Sequence, residues 1–135
     1  MPATLVLCSG CEATISLYGG PSVSATTPYS YISAGSANQD SQVVKALPGQ
    51  LYGYDLFNNA AAVRYVRIYD KATPPTSADT PVRRLELPAG GGAVRLYGNG
   101  LNFNAGIAFR ITTGPTDGDT GTCVASDVYV NLDYI

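Results

Sequence analysis

Apolar and polar side chains alternate along most of the chain beyond residue 40. In the run VRYVRIYD, Tyr65, Arg67 and Tyr69 share one face of an extended strand, and Val66 and Ile68 lie on the opposite face. Comparable runs occur at 82–87, 93–98, 106–113 and 127–135. β-branched and aromatic residues dominate these runs, and no window has the period of a three-turn amphipathic helix. The pattern predicts an all-β protein.

Turn-forming residues separate the runs, as in LPGQ (47–50), FNNAA (57–61), LPAGGG (87–92) and GNG (98–100). Short strands at this spacing are typical of an antiparallel sandwich or barrel. The connections at 71–81 and 113–126 are longer than hairpin loops. We therefore expect both to cross between two sheets, as Greek-key topologies require.

The first 40 residues differ from the rest, because Ser, Thr, Gly and Ala are frequent and apolar residues are too sparse to form a core. We expect an extended N-terminal arm at 1–40 with one or two strands, TLVLC and ATISLY, that packs on the body or on a neighbouring molecule. Disorder of this segment is the alternative. Residues 41–135 are then expected to form the β-sandwich domain.

The charges are unevenly distributed along a chain of 135 residues, the length of a single domain. All eight basic residues lie between positions 45 and 110 together with four acidic residues, whereas the flanks contain six acidic residues and no basic one. The centre and the flanks are thus complementary, either within one molecule or between neighbours. The net charge of −2 does not favour a nucleic-acid-binding protein.

Nothing in the sequence predicts secretion or membrane insertion. The N-terminus MPATLVLCSGC lacks the basic region of a secretory signal, and no apolar run approaches the ~20 residues of a membrane span. We expect a protein that is made in a cytoplasm, where thiols stay reduced.

The sequence contains few side chains that could support catalysis. The chain has no histidine, which removes the commonest general base and most metal-site designs. Asp55, Asp70 and Glu86 are carboxylates that a glycosidase would need in pairs, but their spacing selects no pair. We therefore expect no enzymatic activity and no catalytic residues.

Two short motifs resemble parts of metal sites. Cys8 and Cys11 have the spacing of half a zinc site or of a redox pair, but Cys123 is the only other thiol. Asp117 and Asp119 in TDGDTG resemble the start of a calcium loop that lacks its later acidic ligand. We expect ordinary thiols and a solvated acidic turn, with no metal and no cofactor.

Ten tyrosines and no tryptophan are present. A strand tyrosine buries its ring and leaves its hydroxyl at a wet edge or an interface, and Tyr and Arg are both favoured at protein interfaces. The face with Tyr65, Arg67 and Tyr69 is therefore a candidate contact surface. The alternative is that it caps the core, and we expect a mixture with Tyr65 turned inward.

Five segments in a fixed order carry a resemblance to a known family. They are PYSYISAGSANQ (28–39), KALPGQLYGYDLFNNAA (45–61), RYVRIYDKATPPTSADTPVRRLELPAGGG (64–92), GLNFNAGIAFRITTGPTDGDTG (100–121) and DVYVNLDYI (127–135). From about Pro28 to Ile135 the chain resembles a widespread family of small structural virion proteins of tailed bacteriophages. The resemblance implies an antiparallel β-sandwich of jelly-roll type. Residues 1–27 match no motif of the family.

The resemblance implies a capsid cement or decoration protein that binds the outside of the assembled shell and bridges neighbouring subunits. The expected partners are the major capsid protein and further copies of this chain, as a homo-oligomer on the particle, with no nucleic acid and no membrane. A tail, baseplate or head-fibre component is one alternative. The other is a glycan-binding module displayed on the particle, for which loops 98–104 and 113–122 would form the site.

The adhesive surfaces are expected to be the arm and the Tyr/Arg strand face. The candidate interface residues are Tyr18, Tyr29, Tyr31, Arg67, Tyr69, Arg83 and Arg84. The expected location is the capsid surface of the virion, after synthesis in the host cytoplasm.

Overall fold

Ten β-strands and no helix make up the regular structure of the part of the chain that the computed structural model describes. The description covers the backbone of residues 2–8, 11–16, 25–36 and 40–135, and the side chains of residues 25–36 and 40–135. The strands are β1 (Pro2–Cys8), β2 (Cys11–Ser16), β3 (Thr27–Ile32), β4 (Ser41–Lys45), β5 (Gly49–Asn58), β6 (Arg64–Asp70), β7 (Arg83–Leu87), β8 (Gly92–Phe103), β9 (Ile107–Thr112) and β10 (Val128–Tyr134).

Eight of these strands form two antiparallel sheets that pack face to face. Sheet I has the order β3-β10-β5-β8, and sheet II has the order β4-β9-β6-β7. β1 and β2 pair with each other in a separate antiparallel hairpin. The prediction of an all-β antiparallel sandwich is confirmed. No helix in the described part of the chain is long and apolar enough to cross a membrane.

The core lies between the inner faces of the two sheets. Leu56 and Val130 contribute from sheet I, and Val66, Ile68 and Phe109 contribute from sheet II, each at most 1% exposed. Along β10 the buried positions alternate with more exposed ones, which is the period-two pattern of a strand with one covered face. The alternation in the sequence therefore identifies the core face of this strand.

The sandwich begins earlier than residue 41. β3 pairs with β10 along its whole length, from Thr27 opposite Tyr134 to Ile32 opposite Tyr129. The sequence boundary at residue 40 thus separates β3 from the sheet to which it belongs. The reason is composition: β3 is a sheet-edge strand with mostly exposed residues, so it lacks the apolar content that marked the other strands.

The two long connections behave differently. The segment between β9 and β10 crosses from sheet II to sheet I, as expected for 113–126. The segment between β6 and β7 does not cross, because these strands are neighbours in sheet II, so the prediction for 71–81 is wrong. This segment instead folds back over sheet II, where Pro75 is buried and its carbonyl accepts a hydrogen bond of 2.5 Å from the Ser41 hydroxyl.

The GNG sequence at 98–100 does not end a strand. β8 continues through it to Phe103, and Gly100 adopts a positive φ of 76° that other residues rarely take. The partner of β5 changes from Leu101 at Leu51 to Leu96 at Gly53, so residues 97–100 form a bulge of β8 that has no partner in β5.

Candidate functional site

Three arginines form a row across the outer face of sheet II. Arg110 of β9 lies directly opposite Arg67 of β6, which in turn lies directly opposite Arg84 of β7. Like charges at directly opposed positions of a sheet repel each other. The arginine row, defined by these three residues, therefore requires counter-charges or hydrogen-bond acceptors from another part of the chain.

The acidic segment after β9 supplies them. Arg84 donates hydrogen bonds to both carboxylate oxygens of Asp117, at 2.7 and 2.5 Å, and the Arg67 Nε lies 3.5 Å from Asp117 Oδ1. Hydrogen bonding to Arg84 lowers the pKa of Asp117 below its usual value. Arg110 donates to the backbone carbonyl of Asp119 at 2.7 Å. This segment thus neutralises part of the row and binds the rest through its backbone.

Asp119 shapes the same segment from within. Its Oδ1 accepts hydrogen bonds from the backbone NH groups of Gly114 and Gly121, at 3.0 and 2.9 Å. The expected solvated acidic turn is therefore a structured loop packed on sheet II, with Asp117 facing the arginines. Among the described residues, no group of three or more His, Cys, Asp or Glu side chains is placed to hold a metal ion.

The β6–β7 connection and the β9–β10 connection bury much of the outer face of sheet II. All six residues of β9 are buried, and Arg67 and Tyr69 are each only 1% exposed. The guanidinium of Arg67 donates to Thr112 Oγ1 at 2.6 Å and to the Gly114 carbonyl at 2.9 Å. The expectation of an exposed contact face containing Arg67 and Tyr69 is corrected, because segments distant in sequence cover it.

The remaining candidate interface residues occupy different surroundings. Tyr29 and Tyr31 turn inward and pack edge-on against Phe109. The Phe109 ring centroid lies 6.0 Å from that of Tyr29 and 5.5 Å from that of Tyr31. Arg84 is ion-paired and half exposed, and Arg83 is exposed. Tyr18 lies outside the described residues. The structure brings Arg67 and Arg84 together and separates them from Tyr29 and Tyr31.

Tyr31 also makes a hydrogen bond that connects β3 with Asp40. Its hydroxyl donates to Asp40 Oδ1 at 2.9 Å, and the same oxygen accepts from the backbone NH of Ala34 at 2.7 Å. Burial, followed by the hydrogen bond to Asp40, raises the pKa of Tyr31 well above its usual value. This tyrosine therefore joins the first strand of the sandwich to the segment that precedes β4.

Two clefts open along the arginine row, one at each end. The larger, of about 460 Å³, is lined by Ser41, Pro74, Pro75, Thr76, Ser77, Arg110 and Thr120. The smaller, of about 240 Å³, is lined by Tyr65, Arg67, Arg84, Leu85, Glu86 and Pro115. In the smaller cleft the buried Nε of Arg67 has no hydrogen-bond partner within the described part of the chain.

The outer face of sheet I is open. Seven large apolar side chains in the described residues are exposed, and four of them lie on this face: Ile32 (48%), Phe57 (43%), Val94 (71%) and Leu96 (80%). Phe57 contacts Tyr129 on the neighbouring strand, with ring centroids 6.3 Å apart. We call this surface the open face of sheet I, because no described segment packs over it.

The centre of the open face is polar and acidic. Asp55 lies between Asn131 and Val94 in the register, and Asp133 lies on the same side two positions further along β10. The Asn131 amide donates to the Asp55 carbonyl at 3.3 Å. Sequence reasoning missed this surface because Val94 and Leu96 look like core residues in an alternating strand, whereas the register turns them outward.

The structure describes the three cysteines to different extents. Cys123 is buried, and its burial raises the pKa of its thiol to about 12. Cys8 and Cys11 lie opposite each other in the β1–β2 register, and their side chains lie outside the described residues.

Comparisons of the chain with models of protein families, with curated proteins and with solved structures found no match.

Proposed function

We propose that this protein is a structural component of a tailed-bacteriophage particle, a cement or decoration protein that uses the open face of sheet I to bind assembled capsid subunits. Its partners are the major capsid protein and neighbouring copies of itself, and its place is the outer surface of the shell. No catalytic step is part of this function. The family resemblance of residues 28–135 suggested the class, and the open face supplies a surface for it.

The finer fold proposal is a jelly roll, which is common in viral capsid proteins. It is supported by the sheet membership of consecutive strands. From β3 to β10 the chain alternates between sheets I and II, except that β6 and β7 are neighbours in sheet II. Such alternation is expected of two interleaved Greek keys rather than of a simple meander.

The observation that carries the function is the difference between the two outer faces. Sheet II is covered by its own loops, so that even Arg67 is 1% exposed. Sheet I leaves Val94 and Leu96 at 71% and 80% exposure on the outer side of the long edge strand β8. Exposed apolar side chains grouped on one face, with polar residues beside them, are characteristic of a protein-binding surface.

A decoration protein stabilises a shell through linkage. It binds the assembled lattice better than the free subunits, so each occupied site adds binding free energy against expansion or rupture of the shell. Contacts that are weak singly become long-lived when one protein or oligomer bridges several subunits. A flat, partly apolar sheet face suits such repeated contacts.

The test uses phage particles stripped of this protein and the purified chain added back. We expect the wild type to occupy regular positions over the icosahedral shell in electron micrographs. Leu96→Lys should reduce occupancy about tenfold, because a buried apolar contact is replaced by a charge. Val124→Lys is the matched control, since Val124 is 65% exposed but lies in the β9–β10 connection rather than on the open face.

The outcomes separate the alternatives. An equal loss of shell occupancy with Leu96→Lys and Val124→Lys would show that the open face of sheet I does not bind the capsid. Density confined to the tail or baseplate would replace the cement function with a tail function. Binding of the isolated protein to a glycan array, with no binding to shells, would favour the glycan-binding alternative, for which residues 98–100 lie in the bulge of β8 and residues 101–103 in its paired part.

A further inference from the structure

We propose that the Arg67–Arg84 end of the arginine row is a carboxylate-binding pocket, which the Asp117 side chain occupies in the free protein and which a ligand carboxylate takes over. The pocket lies on the outer side of sheet II, whereas the proposed particle-binding surface lies on the outer side of sheet I. The two sites are therefore independent, and failure of one proposal leaves the other standing.

The pocket contains more positive charge than Asp117 can satisfy. Asp117 binds Arg84 through both of its oxygens, but it lies 3.5 Å from the Arg67 Nε, which is an ion-pair distance rather than a hydrogen bond. Arg67 is buried, and its Nε–H has no hydrogen-bond acceptor among the described groups. A buried unpaired donor on a charged group costs free energy, so a second acceptor at this position is favoured.

The internal carboxylate also defines the chemistry of the ligand. A guanidinium binds a planar carboxylate through two parallel hydrogen bonds, and Arg84 already does so with Asp117. The Tyr65 ring lies 5.8 Å from the Arg67 guanidinium carbon and, with the half-buried Leu85, provides a wall for methylene groups. These features fit a short aliphatic carboxylate.

Glu86 limits the charge that the pocket accepts. It lies opposite Tyr65 in the β6–β7 register and lines the same cleft. Phosphate places its charge on one compact group, so Glu86 would repel it more than it would repel one carboxylate of a ligand whose other charges lie several bonds away in solvent. The pocket should therefore prefer a glutamate-like group, which either a protein side chain or a free dicarboxylate could present.

Exchange does not require the loop to open. Arg110 holds the loop through the backbone carbonyl of Asp119, and Asp119 holds it through the NH groups of Gly114 and Gly121. These bonds do not involve the Asp117 carboxylate, which is 35% exposed. Rotation of that one side chain toward solvent is sufficient to free Arg84 and Arg67 for a ligand.

The test follows the Arg84 side-chain Nε–H resonance by NMR while wild-type protein is titrated with glutarate, with a tetraglutamate peptide that has blocked termini, and with inorganic phosphate. We expect a saturable shift with at least one carboxylate probe. A response to the peptide alone indicates a protein side chain as the natural ligand, and a response to glutarate alone indicates a free dicarboxylate. Phosphate binding as tight as either carboxylate, or no response to any probe, would overturn the proposal.

Three variants sharpen the result. Asp117→Asn should increase the affinity for the responding probe about tenfold, because the internal competitor is removed. Adding Arg84→Gln to that variant should abolish binding, and because this variant lacks the Arg84 reporter, the titration follows the Arg67 Nε–H resonance instead, which should no longer shift. Asp79→Asn, which removes a carboxylate that is paired with Lys71 away from the pocket, should leave the affinity unchanged. An Asp117→Asn protein that binds no more tightly than wild type would also overturn the proposal, and the wild-type titration decides the matter if this variant does not fold.

Discussion

Arg67 and Arg84 lie directly opposite each other on neighbouring strands, and a single carboxylate, that of Asp117, bridges the two guanidinium groups. Their exposures are very different, since the Arg67 side chain is 1% exposed and the Arg84 side chain is 54% exposed. Two like charges on neighbouring strands are thus held together by the loop that follows β9, two strands later in the chain than β7. The acidic loop therefore balances the basic strands through Asp117, at the same position where we propose the ligand pocket.

The ion pair at Asp117 predicts a specific pH dependence of stability. Arg84 lowers the pKa of Asp117 in the folded protein, so its contribution is present above the unfolded-state value of about 3.9 and is lost as the pH falls through the folded value. We expect the difference in melting temperature between wild type and Asp117→Asn to be constant above about pH 5 and to shrink at lower pH.

The measurement is thermal unfolding of both proteins between about pH 2 and pH 7. Asp79, whose pKa is lowered by its hydrogen bond to Lys71, is present in both proteins, so its effect cancels in the difference. A difference that stays the same across the whole range would show that the Asp117 charge does not stabilise the fold.

Arg67 is predicted to be a structural residue as well as a ligand-binding one. Arg67→Ala removes a buried side chain that donates to Thr112 and Gly114, and it should lower the free energy of unfolding by about 3 kcal/mol. Arg83→Ala is the control, because Arg83 is exposed and, among the described residues, donates only to the adjacent Val82 carbonyl, so we expect a change within about 0.5 kcal/mol. Urea denaturation measures both, and equal effects would contradict the burial of Arg67.

Tyr31 should stabilise the attachment of β3. Tyr31→Phe keeps the ring against Phe109 and removes the hydrogen bond to the buried Asp40. We expect the free energy of unfolding to fall by about 1.5–3 kcal/mol. Tyr52→Phe is the matched control, because the Tyr52 hydroxyl donates to Gln50 two residues away. If chemical denaturation shows that both substitutions lower the free energy of unfolding equally, the Tyr31–Asp40 hydrogen bond does not stabilise the attachment of β3.

The Cys123 thiol is predicted to be unreactive in the folded protein. Burial raises its pKa to about 12, so it stays protonated at pH 8 and out of reach of reagents. In a variant with Cys8→Ser and Cys11→Ser, a thiol reagent such as DTNB should react slowly with native protein and rapidly in urea. Fast reaction with the native protein would place Cys123 at the surface.

Several features could be predicted from the sequence because they depend on neighbouring residues. The alternation in 63–70 correctly assigns Val66 and Ile68 to the core, and the runs at 82–87 and 127–135 correspond to β7 and β10. The absence of helix in the described part of the chain follows from the same period of two. Local turn chemistry was less reliable, since β8 passes through GNG with a positive φ at Gly100.

The candidate sites were less predictable. The alternation places Arg67 and Tyr69 on the correct face of β6, but it cannot indicate that distant loops cover that face. Conversely, Val94 and Leu96 have the residue types of a core and are the most exposed of the large apolar side chains in the described structure. Residue type predicts burial only when the strand partner and the covering segment are known.

By itself, therefore, the amino-acid sequence determined the all-β class, most strand positions in the body and the inward face of the central strands, because these follow from the two-residue period of an extended chain. The tertiary structure decided that Arg110, Arg67 and Arg84 form one row, that Asp117 reaches it, and that sheet I rather than sheet II is left open. The physical reason is that strand register and loop placement are set by contacts between residues far apart in the chain, which no local pattern encodes.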